Sequence, residues 1–256
     1  MKLIIKRSAA LLTALVFTGL AGIKANAADL ASYSSEGSVG IIGGGTNPET
    51  PGDVNKPGEP GTPETPEGEK PGPGTPGPLS IDFASSWAFG KQSILSSGDI
   101  IAYAHAQRYG GSDYRQLYAQ VTDKRGTLSG WTLSLSQKGQ FMRVEDGKKM
   151  VGAKLLFTGP GETSSTSSKP ASVVTKSFEL DADSEAIQPL LSAKTDEGAG
   201  QNFYSFGRID QYDPNALSKD DKAKDGPVSL LIPANGLLAG NYKTTLVWSL
   251  SDIPGQ

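Results

Sequence analysis

The chain has 256 residues, a formal net charge of −3 at neutral pH, one histidine and no cysteine. Without cysteine there are no disulfide staples, no thiolate metal site, no cysteine nucleophile and no lipidated N-terminal cysteine. The acidic balance gives no electrostatic reason to bind nucleic acid or an anionic membrane surface.

The chain opens with Lys2, Lys6 and Arg7, then an apolar run over residues 9–22, then Ala25-Asn26-Ala27. A basic start, a short apolar run and a small-x-small cleavage site predict a secretory signal peptide over residues 1–27. The run is short for a membrane span. Removing its four basic residues takes the formal charge from −3 to −7. An exported chain of this size without cysteine points to a bacterial source.

Residues 41–78 hold ten of the 17 prolines and ten of the 32 glycines. The acidic Glu49, Asp53, Glu59, Glu64, Glu67 and Glu69 outnumber Lys56 and Lys70 there. Such a segment has almost nothing apolar to bury, so residues 28–78 are expected to be a disordered Pro/Gly/Glu-rich linker. Fully extended, residues 41–78 would reach ~120 Å.

Residues 79–256 have the composition of a globular domain and the length for one core. Their signals are β. Leu117, Ala119 and Val121 alternate with polar neighbours. Trp131, Leu133 and Leu135 alternate with Thr132, Ser134 and Ser136. Further alternation puts Val151, Ala153, Leu155 and Phe157 on one face, then Val174, Phe178 and Leu180, then Val228, Leu230 and Ile232. Period-two runs between Gly, Pro, Asn and Asp clusters predict an all-β fold, an antiparallel sandwich or barrel. Residues 181–194 have room for a helical turn, interrupted by Pro189. The last run, YKTTLVWSLS, places Tyr242, Leu246, Trp248 and Leu250 on one face. It is expected to close the core, with Pro254 ending the ladder.

Chemistry is sparse. His105 shares a face with Ile101 and Tyr103 on the alternation, and no Ser-His-Asp set assembles around it. One histidine and no cysteine leave little for a zinc site. The acidic candidates Glu145-Asp146, Asp181, Asp183, Glu185 and Asp196-Glu197 lie mainly in Gly- or Ser-rich loops, where carboxylates are solvated. Asp82 stands out because its neighbours are apolar, yet no partner for it is visible. Residues 218–226 lack the spacing of a calcium loop, and the glycines of 40–45 lack the context of a phosphate cradle. The reading is a non-enzyme without cofactor or metal.

Trp248-Ser249-Leu250 is a W-x-L tripeptide set in Tyr-x3-Leu-x-Trp-x-Leu-x3-Pro, running from Tyr242 through Leu246 to Pro254. An earlier W-x-L stands at Trp131-Thr132-Leu133. This pair, with the signal peptide and Pro-rich spacer, resembles the WxL domain of low-GC Gram-positive bacteria, over about residue 79 to the end. The resemblance implies a cell-surface protein attached non-covalently to the wall, with peptidoglycan as ligand. It also implies a membrane-anchored WxL-interacting protein and other WxL proteins as partners. No Leu-Pro-x-Thr-Gly sorting signal with an apolar tail is seen, so retention is expected to come from the domain itself. Two alternatives stay open: a structural subunit whose main ligand is that protein partner, and an adhesin for host matrix. For the motif residues Trp131, Leu133, Tyr242, Leu246, Trp248, Leu250 and Pro254, apolar neighbours on the same side favour the core. A binding role remains, because exposed aromatics stack on sugar rings.

Overall fold

A computed structural model describes residues 36–164, 169–184, 186–234 and 236–254. The signal peptide expected over residues 1–27 lies outside the described residues, as does Glu185. Residues 41–256 form one unit; of residues 1–40, those described are exposed coil.

The strands, in chain order, are β1 Gly52–Asp53, β2 Lys56–Pro60, β3 Leu79–Ala84, β4 Ile100–Tyr103, β5 Gln107–Tyr109, β6 Asp113–Arg115, β7 Leu117–Asp123 and β8 Trp131–Arg143. They continue with β9 Lys154–Phe157, β10 Pro160–Ser164, β11 Ser172–Val173, β12 Phe178–Asp181, β13 Gln188–Ala193, β14 Gly200–Phe206, β15 Val228–Ile232 and β16 Tyr242–Ser251. Three open, four-stranded antiparallel sheets result. Their orders are β10-β14-β7-β3, β11-β13-β8-β16 and β12-β9-β15-β4. β1-β2 and β5-β6 are short pairs. The chain is all-β, as its periodicity predicts.

The alternation accounts for the core. In β8, Trp131, Leu133 and Leu135 are fully buried, while Thr132, Ser134 and Ser136 are half-buried. From β7 come Leu117, Ala119 and Val121; from β9, Leu155 and Phe157; from β15, Val228, Leu230 and Ile232. All join one cluster, so the inner faces of the three sheets share a core. Several details depart from the alternation. Val151, Val174 and Ile101 face solvent. His105 lies past the end of β4 and is turned inward. Residues 188–193, where a helical turn had room, are strand β13, with Pro189 at a register shift against β8. A shift frees proline from donating to the ladder.

The larger departure concerns the expected linker. β7 is buried on both faces, because its sheet is covered on the outside by residues 52–60. Val54 is fully buried against Phe83, Tyr118 and Phe203. Side chains of the sheet satisfy the segment's backbone. The Gly52 N–H donates to Gln120 Oε1 at 2.6 Å, and Gly52 O accepts from the Tyr118 hydroxyl at 3.2 Å. The Gly58 N–H donates to Gln201 Oε1, and Val54 O accepts from Thr163 Oγ1. Arg115 grips both oxygens of Asp53 at 3.3 Å. Further on, Glu64 N–H donates to Arg108 O, and Thr75 N–H to Ile81 O. The expectation of an open linker therefore does not describe residues 52–77. One apolar anchor suffices because the backbone finds polar partners, which composition does not register. Gly74 fits its place for steric reasons: a Cβ there would lie 2.6 Å from Ile81 O.

The same outer face explains Asp82. A register shift between Ile81 and Phe83 turns both Asp82 and Phe83 outward, beneath the covering segment. Asp82 is buried and accepts from Ser80 Oγ, Gln120 Nε2 and Thr122 Oγ1. No cation pairs with it among the described residues, and burial pushes its carboxyl above the ordinary 3.8.

Two outcomes follow from this outer layer. A chain starting at residue 79 leaves Phe83, Tyr118 and Phe203 facing water. It should bind a hydrophobic dye and unfold at lower temperature than the chain from residue 28. Val54→Ala alone should cost about 1–3 kcal/mol in denaturant unfolding, and equal midpoints would show that the segment is not part of the fold. The second outcome concerns pH. The folded state holds the Asp82 proton more tightly than the unfolded chain, so stability falls as pH rises from 3.8 through the raised value. The stability of Asp82→Asn relative to wild type should therefore increase with pH across that window. A constant difference would contradict it.

Candidate functional site

The two W-x-L tripeptides lie side by side. β16 pairs antiparallel with β8, setting Trp248 opposite Leu135, Leu250 opposite Leu133 and Ser251 opposite Thr132. β8 is flanked on its other edge by β13, whereas β16 is the last strand of its sheet. That difference in position gives the two tryptophans different environments.

Trp131 is fully buried, and its indole N–H donates to Gly198 O at 3.2 Å. Gly198 has φ +74°, and a Cβ there would lie 2.8 Å from Trp131 Nε1. Glycine is required on both counts. Leu133 is equally buried. These two motif residues are core.

Tyr242, Leu246, Trp248 and Leu250 pack against that core but are only partly buried. The Trp248 ring meets the Phe206 ring edge-on at 6.2 Å between centroids. The Tyr242 hydroxyl donates to Leu238 O. Pro254 is exposed, past the end of the strand. The terminal strand thus lids the core from its edge and leaves part of its motif face accessible.

That accessible part lines an open cleft of about 580 Å³, where the edge strand β3 faces the edge strand β16. Thr75, Leu79 and Ile81 form one wall, and Trp248, Leu250, Ser251 and Asp252 form the other. This volume is in the range of small-ligand sites. Thr75 has its hydroxyl committed to β3, accepting from Ile81 N–H at 2.9 Å. Asp252 is the charged residue of the lining and is exposed. Nothing in the sequence marks Thr75, which sits in the Pro-rich stretch, or Leu79 and Ile81, which read as ordinary strand residues. Asp252 lies inside the terminal motif's spacing and was legible only by its neighbourhood.

The residues weighed for catalysis do not converge. His105 is buried, with Nε2 2.9 Å from Asp221 O, and burial holds its pKa below the ordinary 6.5. The cavity beside it holds about 10 Å³, room for roughly one water. Glu145 and Asp146 engage Arg143. Asp181 meets Lys154 and accepts from the Asp183 N–H. Glu197 pairs with Lys169 and accepts from the Lys194 N–H. Asp196 sits in a turn at φ +68°. No group of three or more His, Asp or Glu side chains among the described residues is placed to hold a metal ion. Among them, no helix is long and apolar enough to cross a membrane.

A family model for the WxL domain, a surface cell wall-binding domain, matches residues 28–254. The chain belongs to the WxL family. Neither the curated proteins nor the solved structures yield a match. The WxL match begins well before Leu79 and takes in the Pro-rich segment that packs on the sheet. It makes the chain a cell-wall-binding surface protein.

The two tryptophans of this WxL domain should respond differently to truncation. Trp131→Ala should cost about 3–5 kcal/mol, the range for a fully buried aromatic. Trp248→Ala should cost less, since its side chain is only partly buried. Denaturant unfolding of both variants is the measurement, and equal losses would contradict the split.

Proposed function

We propose that this WxL protein attaches non-covalently to the Gram-positive cell wall through the domain described, with peptidoglycan as the polymer bound, and that it carries out no catalysis. The family match over residues 28–254 carries the reading. The open cleft beside Trp248 supports it by offering a partly aromatic surface of ligand size. The acidic side chains weighed for catalysis are engaged by Arg143, Lys154 and Lys169, which supports the non-catalytic part, because a glycoside hydrolase would need two carboxylates facing one bond.

The test is sedimentation of the chain from residue 28 with washed Gram-positive walls and with protein-free peptidoglycan. The protein should pellet with both, return to solution in denaturant at unchanged mass, and release no soluble wall fragments. A chain left in the supernatant, a mass increment or released fragments would each contradict it.

A second reading rests on β16. Among the described residues this ten-residue strand pairs with β8 alone, which leaves its outer edge open, and it carries one charged residue, Lys243. A long edge of that kind accepts an added strand from a protein partner. The partner would be a membrane-anchored WxL-interacting protein or another WxL protein. On this reading the chain pellets with walls only when that partner is present.

A further inference from the structure

We propose that the cleft between β3 and β16 is a saccharide subsite. It takes a neutral pyranose ring of a wall glycan, laid on Trp248, in preference to the phosphate groups of an anionic wall polymer. The inference rests on the wall-attachment reading and assigns that reading its contact residues and ligand class.

A pyranose is amphipathic. It has a face of C–H groups and a rim of hydroxyl and amide groups. The cleft has the matching division. Trp248, Leu250, Leu79 and Ile81 give it an apolar floor and walls. Trp248 is anchored against Phe206 and the core on one side, so its ring is held in place before any ligand arrives. A preordered aromatic loses little freedom on binding. Polar groups complete the lining. The Asp252 side chain meets no hydrogen-bond partner among the described residues and can accept from sugar hydroxyls or an amide N–H. The Trp248 indole N–H likewise has no acceptor among them. Ser251 Oγ accepts from the Ile253 N–H at 3.2 Å and keeps its own proton to donate.

Charge selects between the two wall chemistries. The charged lining residue is an acid, Asp252. The basic group whose charge reaches it, Arg125, is already held by both oxygens of Asp123 and by Gly130 O at 2.8–3.0 Å. The lining residues themselves offer no cation to a phosphate, and a carboxylate at the rim repels one. A neutral ring pays no such penalty.

The cleft also explains a role for the Pro-rich segment. Thr75 closes one side, fixed by its N–H to Ile81 O and by its hydroxyl to Ile81 N–H. The site is complete only when residues 52–77 are folded onto the sheet.

The experiment uses the chain from residue 28 as wild type, Trp248→Leu and Asp252→Ala. Each is sedimented with walls before and after chemical removal of their phosphate polymers, and each is checked by near-UV circular dichroism. Leucine keeps an apolar group against Phe206, and Asp252 is exposed, so Asp252→Ala reports on the site even where the tryptophan variant is disturbed. Wild type should bind both wall preparations alike. Each variant should bind roughly tenfold more weakly or worse, the loss of one good contact. Wild-type binding that disappears with the phosphate polymers overturns the choice of ligand. Variants that bind as wild type overturn the choice of site and leave wall attachment standing. Wild type that binds neither preparation overturns both.

Discussion

Strand β8 is the constraint on which the rest depends. It is the longest strand, it is paired on both edges, and it fills the core with Trp131, Leu133 and Leu135. With no disulfide available, burial of this face carries the cohesion that a small exported domain otherwise draws from cross-links. Its two neighbours are placed by it. β13 binds one edge and brings Leu190 and Leu191 into the core. β16 binds the other edge and carries the second W-x-L tripeptide to the rim of the sandwich. One motif, repeated, therefore occupies a central strand once and an edge strand once. The first copy builds the core. The second copy lids it and also lines the cleft.

The second constraint is the outer face of the β10-β14-β7-β3 sheet. A sheet with apolar side chains on both faces needs cover on both. Here the cover is a Gly/Pro segment with a single apolar anchor, Val54, and a set of side chain-to-backbone hydrogen bonds. The Asp53–Arg115 pair holds its end. Burial works against Asp53 ionising, but the guanidinium and the Asn55 N–H outweigh it and keep its carboxyl below the ordinary range. Below this cover lies Asp82, an ionisable group held by neutral donors. The layer thus combines polar contacts with one apolar cluster, and it ties the N-terminal part of the domain to β3, the same strand that forms one wall of the cleft.

Much of the fold was legible because period-two alternation records which face is dry. The faces of β15 and of the first half of β8 follow it residue by residue, whereas β7 is dry on both faces. Where it failed, something other than alternation decided. Val151 follows the pattern but falls in a turn ahead of β9. Ile101 and His105 share parity, yet the strand ends between them and the chain turns. Residues 52–60 have no apolar pattern, because their stability comes from hydrogen bonds donated by distant side chains such as Tyr118 and Thr163, and these are invisible in a local window. The site was half legible. The W-x-L pair pointed to the family and to the two tryptophans, but both carry the same local pattern. Only the sheet order separates the buried Trp131 from the partly exposed Trp248. Thr75, Leu79, Ile81 and Asp252 come together through tertiary pairing alone.

The central claim is that the two motif tryptophans differ, one as core and one as contact. The most direct test observes the indole N–H groups of the 15N-tryptophan-labelled chain by NMR, with assignments from Trp87→Phe and Trp248→Phe, during titration with soluble peptidoglycan fragments. The account predicts that the Trp131 signal exchanges slowly with solvent and stays in place, whereas the Trp248 signal exchanges readily in the free chain and shifts as fragments bind. Binding that leaves the Trp248 signal unmoved, or a Trp131 signal that shifts in its stead, would contradict it.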